Sequence, residues 1–202
     1  MTLVLATQNI HKVQEMRSIL SDWIWHLKAL SELNPNFEII EDGMTFEENA
    51  RKKAEHVMQE FGYICLGEDT GLEVDALNGQ PGVYSARYAG DKATYQQNVE
   101  KLLSALKDTP NQNRTARFRC VCALAFPVQY ALPAKIFEGI CEGMIIEKPK
   151  GDAGFGYDPV FVPRGYTQTF AELTAEQKNK ISHRAKALQQ VRQFLDKSVI
   201  LK

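Results

Sequence analysis

Two hydrophobic periods alternate along the first half of this chain, and that alternation constrains its fold more than any other feature. Leu3 to Ala6 reads as a short buried strand. A helix opening at Asn9 or His11 and running to about Leu20 puts Val13, Met16, Ile19 and Leu20 on one face. Leu27 to Leu30 and Phe37 to Ile40 are weaker strand candidates. Thr45-Phe46-Glu47-Glu48 has the spacing of a capping box, predicting a helix through Ala50, Ala54 and Val57 to about Phe61, closed by Gly62. Tyr63 to Leu66 follows as a strand, and Gly79-Gln80-Pro81-Gly82 as a turn. A helix from Thr94 or Tyr95 to about Leu106 comes next. Ala116 to Phe126 and Ala134 to Ile146 then read as two long strands joined as a hairpin across Pro127 to Pro133. Thr174 to about Lys180 reads as helical, and Ser182 as the cap of a last helix reaching roughly Leu195. Early strand–helix alternation followed by a hairpin predicts an α/β fold on a mixed sheet. With no repeat, low-complexity tract or linker, one folding unit over 1–202 is expected.

Composition narrows the function classes. Of 202 residues, 44% are hydrophobic, enough for a sizeable core. The formal net charge of -1 argues against general nucleic-acid binding, which needs a basic excess. No run approaches the roughly 18 apolar residues that would span a bilayer, and Met1 to Ala6 lacks the basic and apolar regions of a signal peptide. Cys65, Cys120, Cys122 and Cys141 contain no C-x-x-C pair and no histidine cluster beside them, which disfavours zinc. They read as reduced, mostly buried thiols of a cytoplasmic protein.

The chemistry concentrates in a few segments. Leu66-Gly67-Glu68-Asp69-Thr70-Gly71-Leu72-Glu73-Val74 carries two adjacent carboxylates at the end of a predicted strand. Adjacent strand residues point to opposite faces, so the two reach one site only if the backbone turns, and Thr70-Gly71 is expected to supply that turn. Two carboxylates there would make a hard oxygen site suited to Mg²⁺; read alone, the pair is also an ordinary acidic loop. Glu41, ahead of Gly43-Met44-Thr45-Phe46, is a candidate third carboxylate or a surface glutamate. Thr7-Gln8-Asn9-Ile10-His11-Lys12 opens a helix after the first strand, and its N–H groups, hydroxyl, amide and lysine suit a phosphate, as they suit a polar cap. It is no Walker motif.

Gly151-Asp152-Ala153-Gly154-Phe155-Gly156-Tyr157-Asp158-Pro159 is glycine-dense, which permits close backbone approach. Phe155 is placed to stack on a planar ligand or to be buried in a turn, and Asp158 to accept a hydrogen bond or hold a neighbour. Lys178, Ser182, His183 and Arg184 gather cationic and donor groups near a helix start, suited to phosphate or to a carbonyl edge. Asn49 and Lys53, four apart on one helix, face inward or outward; Arg87 is an anchor or a substrate contact. Acids for a cation, bases for polyphosphate and an aromatic for a base together read as a Mg²⁺-dependent nucleotide phosphohydrolase.

At that level the chain resembles the inosine triphosphate pyrophosphatase family, which acts on non-canonical purine nucleoside triphosphates. The matching segments are Ala6-Thr7-Gln8-Asn9 with Lys12; Gly43-Met44-Thr45-Phe46-Glu47-Glu48-Asn49-Ala50; Asp69-Thr70-Gly71-Leu72-Glu73-Val74; Pro81-Gly82-Val83-Tyr84-Ser85-Ala86-Arg87-Tyr88; Gly154-Phe155-Gly156-Tyr157-Asp158-Pro159; and Ile181-Ser182-His183-Arg184. They keep the family's order over nearly the whole chain. Gln8 stands where glycine or serine is usual, Glu68 where aspartate is common, Thr70 where serine is frequent and Ala185 where glycine is usual.

The resemblance implies an elongated α/β fold with two lobes around a central mixed sheet, usually a homodimer, and hydrolysis of ITP, dITP and XTP to the monophosphate and pyrophosphate. It implies Asp69 as the general base and Glu41, Glu68 and Asp69 as Mg²⁺ ligands. It assigns Thr7, Gln8, Asn9, Ile10, His11, Lys12 and Lys178 to the phosphates, and Phe155, Gly156, Tyr157, Asp158, His183 and Arg184 to the base pocket. Thr70 would touch the substrate. Donors such as His183 or Arg184 would favour a 6-oxo purine over adenine. Nucleic acid and membrane are not expected as partners. The competing readings are a Maf-like pyrophosphatase acting on modified pyrimidine nucleotides, a nucleotide sensor without turnover, and an RNA-binding protein.

Overall fold

The structure, a computed structural model, describes residues 1–198. The strands are β1 (Thr2–Leu5), β2 (His26–Ala29), β3 (Ile64–Val74), β4 (Thr115–Ala125), β5 (Lys135–Ile145) and β6 (Phe161–Pro163). The α-helices are α1 (Ile10–Ile19), α2 (Phe46–Phe61), α3 (Tyr95–Ala105), α4 (Ala175–Ile181) and α5 (His183–Lys197). The strands form one sheet in the order β2-β1-β3-β4-β5-β6. β1 pairs in parallel with β2 and β3, whereas β5 and β6 are antiparallel, so the sheet is mixed and the fold α/β. The two long strands meet as sheet neighbours, as the pattern predicts.

Among the described residues the chain divides into two compact units, one of residues 1–69, 120–139 and 184–198 and one of residues 70–119 and 140–183. In the first, strand alternation sorts the core into two faces. Leu3, Leu5, Ile64 and Leu66 pack with Val13 and Met16 of α1 and Leu188 and Val191 of α5. Val4, Ala6 and Cys65, one residue out of phase, pack with Leu30 and with Val57 of α2. Gly67 belongs to this second face, where a Cβ would lie 2.0 Å from the carbonyl oxygen of Ala50; its lack of a side chain lets α2 approach the strand. In the second unit, Leu72, Val74, Val99, Leu102, Phe118, Phe161 and Phe170 make the core.

Helix ends follow local chemistry. Asn9 caps α1 by accepting from the N–H groups of His11 and Lys12. Thr45 caps α2 by accepting from Glu48, but Glu48 reaches back to the N–H of Met44, one residue before the place a closed capping box would use. Gly62 ends α2 at φ 69°.

Two expectations are corrected. Phe37 to Ile40 forms no strand, because β2 holds the sheet edge beyond β1. Phe37 instead lays its ring against His56 and Phe61, and Ile39 joins the same apolar face. Thr70-Gly71 makes no turn: β3 stays extended from Ile64 to Val74, its backbone taken up by the ladder.

Candidate active site

Because β3 does not turn, Glu68 and Asp69 leave it on opposite faces. Asp69 shares the α2 face with Gly67. Its carboxylate accepts from Asn49 Nδ2 at 3.1 Å and from Lys53 Nζ at 3.2 Å. Asn49 also fixes the segment before α2, its Oδ1 accepting from the Gly43 N–H at 2.8 Å. Lys53 is a buried hub. Its ammonium lies 2.8 Å from Glu41 Oε2 and donates to the carbonyl oxygen of Glu68 at 3.0 Å.

Glu68 faces α1 and α5. Its Oε1 accepts from Arg184 at 2.8 Å and from the Cys120 thiol at 3.3 Å, and Lys12 Nζ lies 3.1 Å from Oε2. Arg184 is only 1% exposed and also binds Glu15. Burial alone would lower the Arg184 and Lys12 pKa values. For Arg184, Glu68 and then Glu15 more than offset it; for Lys12, Glu68 does so chiefly, and both values lie above the ordinary ones. Burial is the first cause that pushes the Cys120 thiol well up, with Cys122 adding to it, so it stays a protonated donor.

The expected trio of Glu41, Glu68 and Asp69 side chains therefore does not assemble. Glu41 and Asp69 meet at Lys53, and the Glu68 side chain lies on the other face of the strand. Among the described residues no three His, Cys, Asp or Glu side chains stand together as a metal site. Two carboxylate oxygens and one carbonyl oxygen do converge on a cation, the Lys53 ammonium. That hard oxygen set fits Mg²⁺ chemically through Glu41, Asp69 and the Glu68 carbonyl.

In the helix-opening segment, Asn9 is spent on capping, and the Thr7 hydroxyl accepts from the Asn9 N–H at 3.1 Å. Gln8 turns its amide to the carbonyl oxygens of Asn34, Pro35 and Phe37. Ile10 and His11 are exposed, while Lys12 is drawn to Glu68.

The second unit carries its own cluster. Asp158, nearly buried, accepts from Lys178 Nζ at 2.6 Å and from the Phe155 N–H at 2.9 Å. A Cβ on Gly154 would lie 2.1 Å from that carboxylate, at φ +75°, so the glycine is required twice over. The Lys178 ammonium sits 5.4 Å from the ring centroids of both Phe155 and Phe170. Phe155 is half-buried, and Gly156 next to it also has a positive φ. Tyr157 is buried and donates from its hydroxyl to the Ser85 carbonyl at 2.9 Å; burial, with Tyr88 adding, pushes its pKa up. Thr70 is half-buried on β3. His183 is 3% exposed and stacks on Phe118, with ring centroids 4.7 Å apart and planes 12° apart. Neither His183 nor Arg184 is exposed as the base-reading donor that sequence suggests: one is packed among rings, the other among carboxylates.

Lys53 and Asn49 are the residues whose weight the sequence left open, and a signal for them existed. Buried positions of α2 are Phe46, Asn49, Ala50, Lys53, Ala54 and Val57, an apolar stripe broken by one amide and one ammonium. Glu15 gave less signal, since it sits at the margin of the buried face of α1.

The chain is 48% identical over 200 residues to a Desulforamulus reducens protein named dITP/XTP pyrophosphatase, covering 99% of this chain and 98% of the relative. It is 47% identical over 193 residues to one of the same name from Bacillus subtilis, covering 96% of each. Among solved structures it is similar to a HAM1 protein from Coxiella burnetii, with TM-score 0.87 and 40% identity over 98% of this chain and 100% of the other. It also resembles the Staphylococcus aureus Ham1 protein, with TM-score 0.85 and 40% identity over 97% and 98%. The pattern of the Ham1 family matches residues 3–194, and the chain belongs to that family.

Proposed function

We propose that this chain is a nucleoside-triphosphate pyrophosphatase that hydrolyses the non-canonical purine nucleotides ITP, dITP and XTP to the monophosphate and pyrophosphate. The observation that carries the reading is the buried Asp69, held by Asn49 and Lys53 beside Glu41, in a chain whose relatives are named dITP/XTP pyrophosphatase along nearly their whole length. Asp69 is the base that takes a proton from water. Glu41, Asp69 and the Glu68 carbonyl oxygen would hold Mg²⁺, which when bound neutralises phosphate charge and favours in-line attack. Lys12 and Thr7, in the segment that opens α1, remain the proposed phosphate contacts. Phe155 offers the stacking surface for a purine. Lys178 and Asp158 keep its glycine loop in shape, and Thr70 remains a proposed substrate contact.

The chain passes between its two units inside β3, β4 and β5 and at the start of α5, so neither unit is a separable segment and 1–202 is treated as one domain. A homodimer follows from the family resemblance, and sedimentation tests it. Free, buried cysteines suit a reducing, cytoplasmic setting, and among the described residues no helix is long and apolar enough to cross a membrane.

The test is hydrolysis of ITP, dITP, XTP, ATP, GTP and dTTP with Mg²⁺ or with chelator, scoring pyrophosphate against orthophosphate. Mg²⁺-dependent pyrophosphate release, mainly from the first three and lost in Asp69→Asn, is expected. Orthophosphate release, or equal cleavage of ATP and GTP, overturns the chemistry or the substrate class.

A further inference from the structure

We propose that Gln8 is a positioning residue that clamps the segment carrying Glu41, and that it does not contact substrate. Gln8 lies at the head of α1, where the sequence suggests a phosphate cradle. Its Nε2 instead faces three carbonyl oxygens of one loop: Asn34 at 3.2 Å, Pro35 at 3.4 Å and Phe37 at 3.2 Å. One amide nitrogen has two N–H groups, so the three acceptors share them. No regular secondary structure covers residues 34–43, and no strand neighbour supplies a ladder there. Side-chain contacts and short local turns tie the segment down: Lys52 pairs with Asp42 at 2.7 Å, Ile39 joins an apolar face, and the N–H groups of Asn34 and Phe37 donate to the carbonyl oxygens of Leu30 and Asn34. Phe37 packs on His56 and Phe61, the Gly43 N–H donates to Asn49, and Glu41 reaches Lys53. Gln8 closes the N-terminal end of that span and Asn49 its C-terminal end, with Glu41 between them.

The donors matter more than the shape. The clamp uses N–H groups against carbonyl oxygens, so an isosteric carboxylate would be repelled where the amide is held. A glycine or serine at this position would leave those carbonyls to water. The loop would then sample more conformations, and Glu41 would meet Lys53 and Asp69 for less of the time.

The catalytic consequence rests on the function proposed above; the mechanical claim does not. Hydrogen exchange is measured in the nucleotide-free protein for wild type, Gln8→Glu, Gln8→Leu and Gln8→Lys. Exchange across residues 34–43 should rise about fivefold or more in Gln8→Glu and Gln8→Leu, the scale of one lost hydrogen bond, and stay near wild type in Gln8→Lys, which keeps a donor. In turnover, the half-saturating Mg²⁺ concentration should rise in the first two variants while KM for ITP moves little. Unchanged exchange at 34–43 in Gln8→Glu overturns the clamp. A raised KM for ITP with unaltered Mg²⁺ dependence returns Gln8 to substrate contact. If wild type does not cleave ITP at all, the function proposed above fails, and the exchange data still decide the clamp.

Discussion

Glu68 and Asp69 are neighbours in sequence and occupy different environments, Glu68 between Arg184 and Lys12 and Asp69 between Lys53 and Asn49. Their neutral variants should therefore fail in different ways. Glu68→Gln leaves a buried guanidinium with one carboxylate fewer, which should cost about 3 kcal/mol of stability. Asp69→Asn keeps Glu41 on Lys53, so its melting temperature should fall less, while kcat drops by about 10²–10⁴-fold if Asp69 is the base. Thermal melts and steady-state rates on the two variants check this. Equal losses of stability and rate in both would mean that the two carboxylates act as one site.

Lys53 sits where the oxygen donors converge, so it competes with any divalent cation for them. In Lys53→Met, Glu41 and Asp69 lose their shared ammonium and repel each other. The variant should be less stable than wild type in chelator, and excess Mg²⁺ should raise its melting temperature by more than it raises that of wild type. Melts with and without Mg²⁺ measure the difference. An equal response in both proteins would rule these oxygens out as the proposed Mg²⁺ ligands.

His183 packs flat on Phe118 and lies near Phe170, which makes it a core residue. His183→Ala should leave a cavity and lower stability by about 2–4 kcal/mol, the range for large-to-small changes in cores. The ratio of kcat/KM for ITP to that for ATP should stay close to wild type. A collapsed ratio with an unchanged melting temperature would make His183 the donor that reads the base.

The cysteines give a pH signature. Burial pushes the Cys65 thiol from the ordinary 9.0 up to about 12. Its folded value is raised, so the stability it contributes is fully present below pH about 9. That contribution is lost as pH rises from there toward 12, because the unfolded chain ionises first. All four thiols are free and buried, so a thiol reagent at pH 8 should react slowly with native protein and quickly in denaturant. Rapid native reaction would show that the thiols are reached without unfolding.

Local rules governed what could be read along the chain. The caps at Asn9, Thr45, Thr94 and Thr174, the closing Gly62 and the helix over Phe46–Phe61 follow from neighbours within a turn. Paired long strands after alternating elements were enough to predict the mixed α/β sheet. Six matching segments carried the resemblance to the inosine triphosphate pyrophosphatase family, and with it the candidate residues. The partners those residues chose were not local. Whether β3 turned at Thr70 depended on the sheet that holds it straight, and that decided that Glu68 and Asp69 would part. Arg184 meets Glu15 and Glu68 across 169 and 116 positions of sequence, and Gln8 meets carbonyls 26 to 29 positions away. A side chain's type fixes what it can bond. Which partner lies within 3 Å when water is excluded is set by the packing of elements distant in sequence, and only the tertiary structure decides that.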